Sequence, residues 1–195
     1  MAFPARHTPA VPTEQQPSQL AVIARVTNVG ANARHCALLV ADVVEVMRPL
    51  PIDGLANMPP FVLGLSIIRG APLPVVDAAA LLGRGPEGGE GHGRGQGHER
   101  AQRSDVNAVG APVPTRFVVL RAGERRVALA VAAVLGVRPL APETLQALPP
   151  LLRHAGEHVV AAIGTLDRGL LTVLAGSYLV PPSLWEALAP WKASP

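Results

Sequence analysis

Phe61-Val62-Leu63-Gly64-Leu65-Ser66-Ile67-Ile68-Arg69-Gly70-Ala71-Pro72-Leu73-Pro74-Val75-Val76-Asp77 holds two apolar runs either side of a short polar break. Residues 61–69 are almost continuously apolar until Arg69, and residues 73–76 return as a second run. The break, Arg69-Gly70-Ala71-Pro72, reads as a tight turn, because glycine accepts left-handed backbone and proline interrupts pairing. Two such runs around a Gly turn predict a β-hairpin. Residues 78–82 predict a short helical tail behind it.

Working towards the N-terminus, residues 41–47 (ADVVEVM) predict one or two helical turns, stopped by Pro49 and Pro51. Residues 35–40 and 20–26 predict two strands separated by the turn-like Asn28-Val29-Gly30. Residues 1–19 are polar and punctuated by proline, which predicts a flexible leader ahead of a folded domain spanning 20–190.

Towards the C-terminus the composition changes sharply. Residues 83–114 contain nine glycines, three prolines and eight charges, with no aromatic. Such a segment buries too little apolar surface to offset its ordering entropy, so it is expected to be a disordered loop between two folded halves. Strands are expected at 116–120 and 126–130 around Ala122-Gly123, a helical turn at 131–136, and another at 141–148. A second hairpin is expected from 158–166 and 169–174. Ser183 and Glu186 have capping-box spacing and predict a C-terminal helix that docks through Leu184, Trp185 and Leu188.

The halves echo one another. Val43-Val44, Val46 and Arg48-Pro49-Leu50 are matched by Val134-Leu135, Val137 and Arg138-Pro139-Leu140, and the Arg69-Gly70 tip by Arg168-Gly169. A repeat of short strands with Gly and Pro turns predicts an all-β fold of two small barrels or a sandwich.

Composition narrows the function. Hydrophobic residues make up 49% of the 195 and aromatics 3%, so the core must be aliphatic. A single cysteine, Cys36, excludes an internal disulfide framework and a multi-cysteine zinc site. Net charge is +3, charged residues are 16%, and the basic residues are scattered, with Arg125-Arg126 the one adjacent Lys/Arg pair. Nucleic-acid binding calls for a basic stripe with aromatics or a recognition element, and neither is legible. No apolar run approaches the ~18–20 residues that span a bilayer.

Motifs for chemistry are weak. Gly83-x-Gly85-x-x-Gly88 matches a dinucleotide fingerprint on paper but lacks the strand before it and the helix within it. His92 and His98 share a Gly-rich stretch with no fixed metal geometry. Cys36 sits in an apolar strand, with the adjacent His35 aimed at the opposite face. No catalytic residue and no cofactor is predicted. Arg69 stands out, because it ends an apolar run and is presented by a Gly turn; Glu45 is placed to orient it. Guanidinium groups beside apolar surface are common interface anchors.

Residues 57–77 resemble the core signature of the CheW-like family of chemotaxis coupling proteins. The shared features are a Pro-aromatic lead, a Gly-hydrophobic strand, an Arg-Gly turn and a Pro-Val-hydrophobic-Asp strand end. Residues 43–46 resemble the helical turn before it, and 116–140 with 159–174 the second half. The resemblance implies two intertwined five-stranded SH3-like barrels and a non-catalytic adaptor. It implies partners as well: the regulatory domain of a CheA-type histidine kinase and the signalling tip of a methyl-accepting chemoreceptor. Arg69 matches the motif arginine associated with receptor contact; Glu45, Val43 and Val44 match positions near that surface. The expected location is the cytoplasm, with recruitment to receptor arrays and no membrane insertion. Ile67-Ile68 before Arg69-Gly70, where the family has Asn-Leu, leaves open a divergent pathway in motility or biofilm signalling. A nucleic-acid-binding barrel and an enzyme are the competing classes.

Overall fold

Eleven strands and two short helices make up the regular structure of the computed structural model, which describes residues 18–26, 33–83, 114–148, 159–167 and 169–188. The strands are β1 (Gln19–Arg25), β2 (His35–Leu39), β3 (Val43–Met47), β4 (Val62–Ile68), β5 (Ala71–Asp77), β6 (Arg116–Ala122), β7 (Arg125–Val131), β8 (Ala133–Leu140), β9 (Leu145–Ala147), β10 (Val160–Leu166) and β11 (Gly169–Leu174). The helices are α1 (Ala78–Leu81) and α2 (Pro182–Ala187). Residues 1–17 of the expected leader, most of the Gly-rich segment with its dinucleotide-like motif, and His92 and His98 lie outside the described residues, and Gln19, expected in the leader, opens β1.

Two sheets form. One has five strands in the order β3-β6-β7-β5-β4, and the other six in the order β8-β1-β2-β11-β10-β9. Each half of the chain contributes a hairpin, a single strand and a second hairpin, and the halves exchange their first hairpins. β1 and β2 join the sheet of the second half, where β2 runs parallel to β11. β6 and β7 join the sheet of the first half, where β7 runs parallel to β5. The all-β, intertwined architecture therefore matches the expectation, with one sheet a strand larger because β9 adds to β10.

Strand alternation sorts the apolar side chains into three cores. Phe117, Val119, Ala128, Ala130, Val75 and Ile68 fill the inside of the five-stranded barrel. Ala21, Ile23, Ala37, Leu171 and Val173 fill the inside of the six-stranded one. The largest core lies between the sheets and takes the opposite faces of the same strands, including Val22, Ala24, Cys36 and Leu38 from one sheet and Val118, Leu120, Val127 and Leu129 from the other. Strands buried on both faces cannot alternate polar with apolar, which is why β1, β2, β6 and β7 read as continuous apolar runs.

Three local expectations are corrected. Residues 43–46 are strand and not helical turn; the helical piece is a 3-10 turn at Val40–Asp42 just before them. Valine at three of five positions favours extended backbone, and pairing with β6 fixes it. Residues 133–136 likewise belong to β8, held by β1. The Ser183 capping box does not form. Pro182 occupies the first turn, Pro181 is the cap residue, and no side chain caps the helix, since proline's fixed φ suits that position. The docking reading holds: Leu184 and Leu188 are buried, Trp185 packs partly on the inter-sheet core, and the Arg125 guanidinium lies 5.0 Å from its ring centroid. No helix among the described residues is long and apolar enough to cross a membrane.

Candidate functional site

The β4–β5 hairpin closes with two residues, Arg69 and Gly70, both in left-handed backbone with φ of 54° and 77°. This is the twist that two-residue hairpins require, and Asn, Asp or Gly ordinarily supply it. Arginine carries a steric penalty there that its backbone does nothing to relieve. Its side chain does make a defined contact. Nη2 donates to Glu45 Oε2 at 2.8 Å, and Nε donates to Oε1 at 3.3 Å, a two-pronged grip.

Glu45 sits on β3, beside a bulge between Val43 and Glu45 that shifts the strand's register against β6. β3 and β4 are the two edges of the five-stranded sheet. The Arg69–Glu45 pair therefore ties one edge of the barrel to the hairpin extending from the other. The arginine side chain is 74% exposed and the glutamate 22%, so the guanidinium points its free side to solvent. The hydrogen bond from Arg69 is the main cause holding the Glu45 carboxyl below its ordinary range; the charges of Arg69 and Arg126 add to it and partial desolvation opposes it.

The structure thus brings Arg69 and Glu45 together as the sequence suggested. Val43 and Val44 stand differently. Both are half-buried, Val43 packing on the inter-sheet core and Val44 on the barrel interior, so each contributes to the fold. The exposed aliphatic side chains on the same two edge strands, β3 and β4, are Val46 at 42% and Ile67 at 58%. Sequence reasoning passed over both, although Val46 was legible as a repeat partner of Val137, itself exposed. It gave no role to Arg121, and noted Arg126 only as half of an adjacent basic pair; the two stand opposite one another in the β6–β7 register.

Elsewhere the chemistry is muted. Burial pushes the Cys36 thiol up to about 12, so it is no nucleophile at neutral pH. No group of three His, Cys, Asp or Glu residues among the described residues is arranged to hold a metal ion. A wide groove of about 1690 Å³ runs beside α2, lined by Ala122 and Arg125 from one sheet, Val160 and Ile163 from the other, and Phe61 and Trp185 from outside the strands.

Comparison with known proteins agrees with this architecture. The family model for the CheW-like domain matches residues 25–181. Among solved structures, the chain is similar to the scaffolding protein TtCheW from Thermoanaerobacter tengcongensis, with a TM-score of 0.55 and 20% identity. That match covers 84% of this chain and 92% of the other, and at this identity it is a likeness of fold. No curated protein matches the chain.

Proposed function

This chain belongs to the CheW-like domain family, and from that premise we propose that it couples chemoreceptors to a CheA-type histidine kinase as a non-catalytic cytoplasmic adaptor. The observation that carries this reading is Arg69. An arginine occupies a left-handed turn position better suited to Asn or Gly, is gripped by Glu45, and keeps most of its surface in water. Backbone strain of this kind at an exposed tip points to a side chain kept for recognition.

In this role the fold presents surfaces and performs no reaction. Glu45 fixes the guanidinium in one orientation, so little rotamer freedom remains to be lost on docking. Val46 and Ile67 supply exposed aliphatic surface on the two edge strands. A receptor helix laid across this edge buries the arginine and strengthens every charge-assisted bond it makes. Recruitment to membrane receptor arrays then follows from the partner.

The test pairs the full chain with the signalling-tip fragment of a receptor, and with the kinase regulatory domain, from the same genome. Arg69→Ala is expected to leave thermal unfolding nearly unchanged and to weaken receptor binding about tenfold or more. Undiminished receptor binding by the variant, or failure of the parent to bind either partner, overturns the proposal.

A further inference from the structure

The face that carries Arg69 also displays two guanidinium groups that the fold leaves unpaired. Arg121 on β6 and Arg126 on β7 are exposed cross-strand partners. Alternation puts Arg121 on the same sheet face as Phe117 and Val119, and Arg126 on that of Ala128 and Ala130. Both therefore stand at the end of the five-stranded barrel, on its inner face. The ion pairs among the described residues are Arg69–Glu45 and Arg138–Asp167. Neither Asp42, just before β3, nor Glu124, in the β6–β7 turn, comes within ion-pair distance of Arg121 or Arg126.

Like charges directly opposite on a sheet repel, and no ion pair among the described residues offsets this one. Their position links them to the Arg69 site. β3 pairs with β6 so that Val43 faces Leu120 and Glu45 faces Val119, which leaves Arg121 just past Val43. The charge of Arg126 reaches Glu45. Arg69 and Arg126 thus both act on one carboxylate that Arg69 already engages, and Arg121, opposite Arg126, has no ion-pair partner among the described residues.

We infer that the partner docked at this face presents a protein segment bearing at least two carboxylates, received by Arg121 and Arg126 while Glu45 keeps Arg69 aimed. The inference rests on the reading of the Arg69 face as a partner face and adds the chemistry of what docks there. Guanidinium forks match carboxylates two bonds at a time. Val46 and Ile67 on the two edge strands add exposed aliphatic surface suited to a peptide, whereas single-stranded nucleic acid needs aromatic stacking platforms.

The experiment measures binding of the full chain to the receptor signalling-tip fragment at low and high salt, for the parent, Arg69→Ala, and the double variant Arg121→Gln/Arg126→Gln. The double variant relieves a repulsion between exposed groups, and its melting temperature should equal or exceed the parent's. It is expected to bind about tenfold more weakly at low salt and to lose most of the salt dependence. Converting the fragment's exposed carboxylates to amides should reproduce that loss on the parent. If Arg69→Ala weakens binding while the double variant matches the parent, the acidic-partner inference falls and the adaptor reading stands. If Arg69→Ala binds as the parent does, the adaptor face itself is wrong. A single-stranded oligonucleotide bound as tightly as the fragment, and lost in the double variant, overturns the inference in favour of nucleic acid.

Discussion

Replacing Gly64 with alanine tests the reasoning about the barrel most directly. Gly64 lies in β4 with φ of 142°, a region that side-chain-bearing residues rarely enter. The space a Cβ would need is also taken. Built on this backbone, it meets the Asp53 carbonyl oxygen in hard overlap, with the carbonyl carbon at 2.8 Å and the Gly54 Cα at 3.0 Å. All three are main-chain atoms that cannot swing aside. Asp53 is there because its N–H donates to Leu65 at 2.8 Å and its carbonyl accepts from Leu65 at 2.9 Å. Relief of the overlap must break one or both of these bonds. Backbone strain of ~1–3 kcal/mol and two hydrogen bonds at ~1 kcal/mol each give a loss of ~3–5 kcal/mol for Gly64→Ala. For a chain of this size that is a fall of about 6–20 °C in melting temperature. Scanning calorimetry or circular dichroism reads it, and hydrogen exchange at the Leu65 amide should accelerate. A melting temperature within about 2 °C of the parent would refute the argument.

Other outcomes follow from the same structure. Trp185→Ala should lower the melting temperature by about 4–8 °C through lost packing of ~2 kcal/mol on the inter-sheet core; an unchanged value would mean that α2 is not docked. Cys36 should resist thiol reagents in the native chain at about pH 8 and react fully once unfolded; rapid native labelling would contradict its burial. In a carbon-13 NMR titration, Glu45 should titrate below the ordinary glutamate range, and Arg69→Ala should raise its midpoint. Because the folded value is depressed, the stabilisation from the pair is present above the ordinary range and lost as pH falls through the folded value. Equal midpoints in parent and variant would show that the pair does not form in solution.

Legibility in the sequence tracked the range of the physics. The β4–β5 hairpin was readable because its turn and both strands are adjacent, and Arg69 was readable as its tip. Glu45 was placed beside Arg69 but on a helical turn, since residues 41–47 carry no clean period and the strand at Val43–Met47 exists through its pairing with β6, seventy or more residues away. The Ser183 capping box was a sound local pattern overruled by Pro182 one residue earlier. Nothing local marks Gly64 as a tight position, because the Asp53 carbonyl that fills the space beside it is visible only after folding. Arg121 and Arg126 face each other only through register. Their sequence separation is that of a hairpin, but nothing local announces that both lie on the face of Glu45.

The exchange of first hairpins has a consequence for how the molecule is put together. Neither half of the chain can complete a barrel alone: residues 18–83 supply β1 and β2 to a sheet whose remaining strands all follow residue 114, and residues 114–188 return β6 and β7 to the other sheet. The parallel seams, β2 with β11 and β5 with β7, cannot close until distant chain has arrived, so assembly is governed by long loop closure and should be slow for its size. The two halves are in effect complementary fragments. A single cut between Gly83 and Pro114 should leave both pieces bound to each other through native strand pairing, and separately expressed halves should be insoluble apart yet reconstitute one another on mixing.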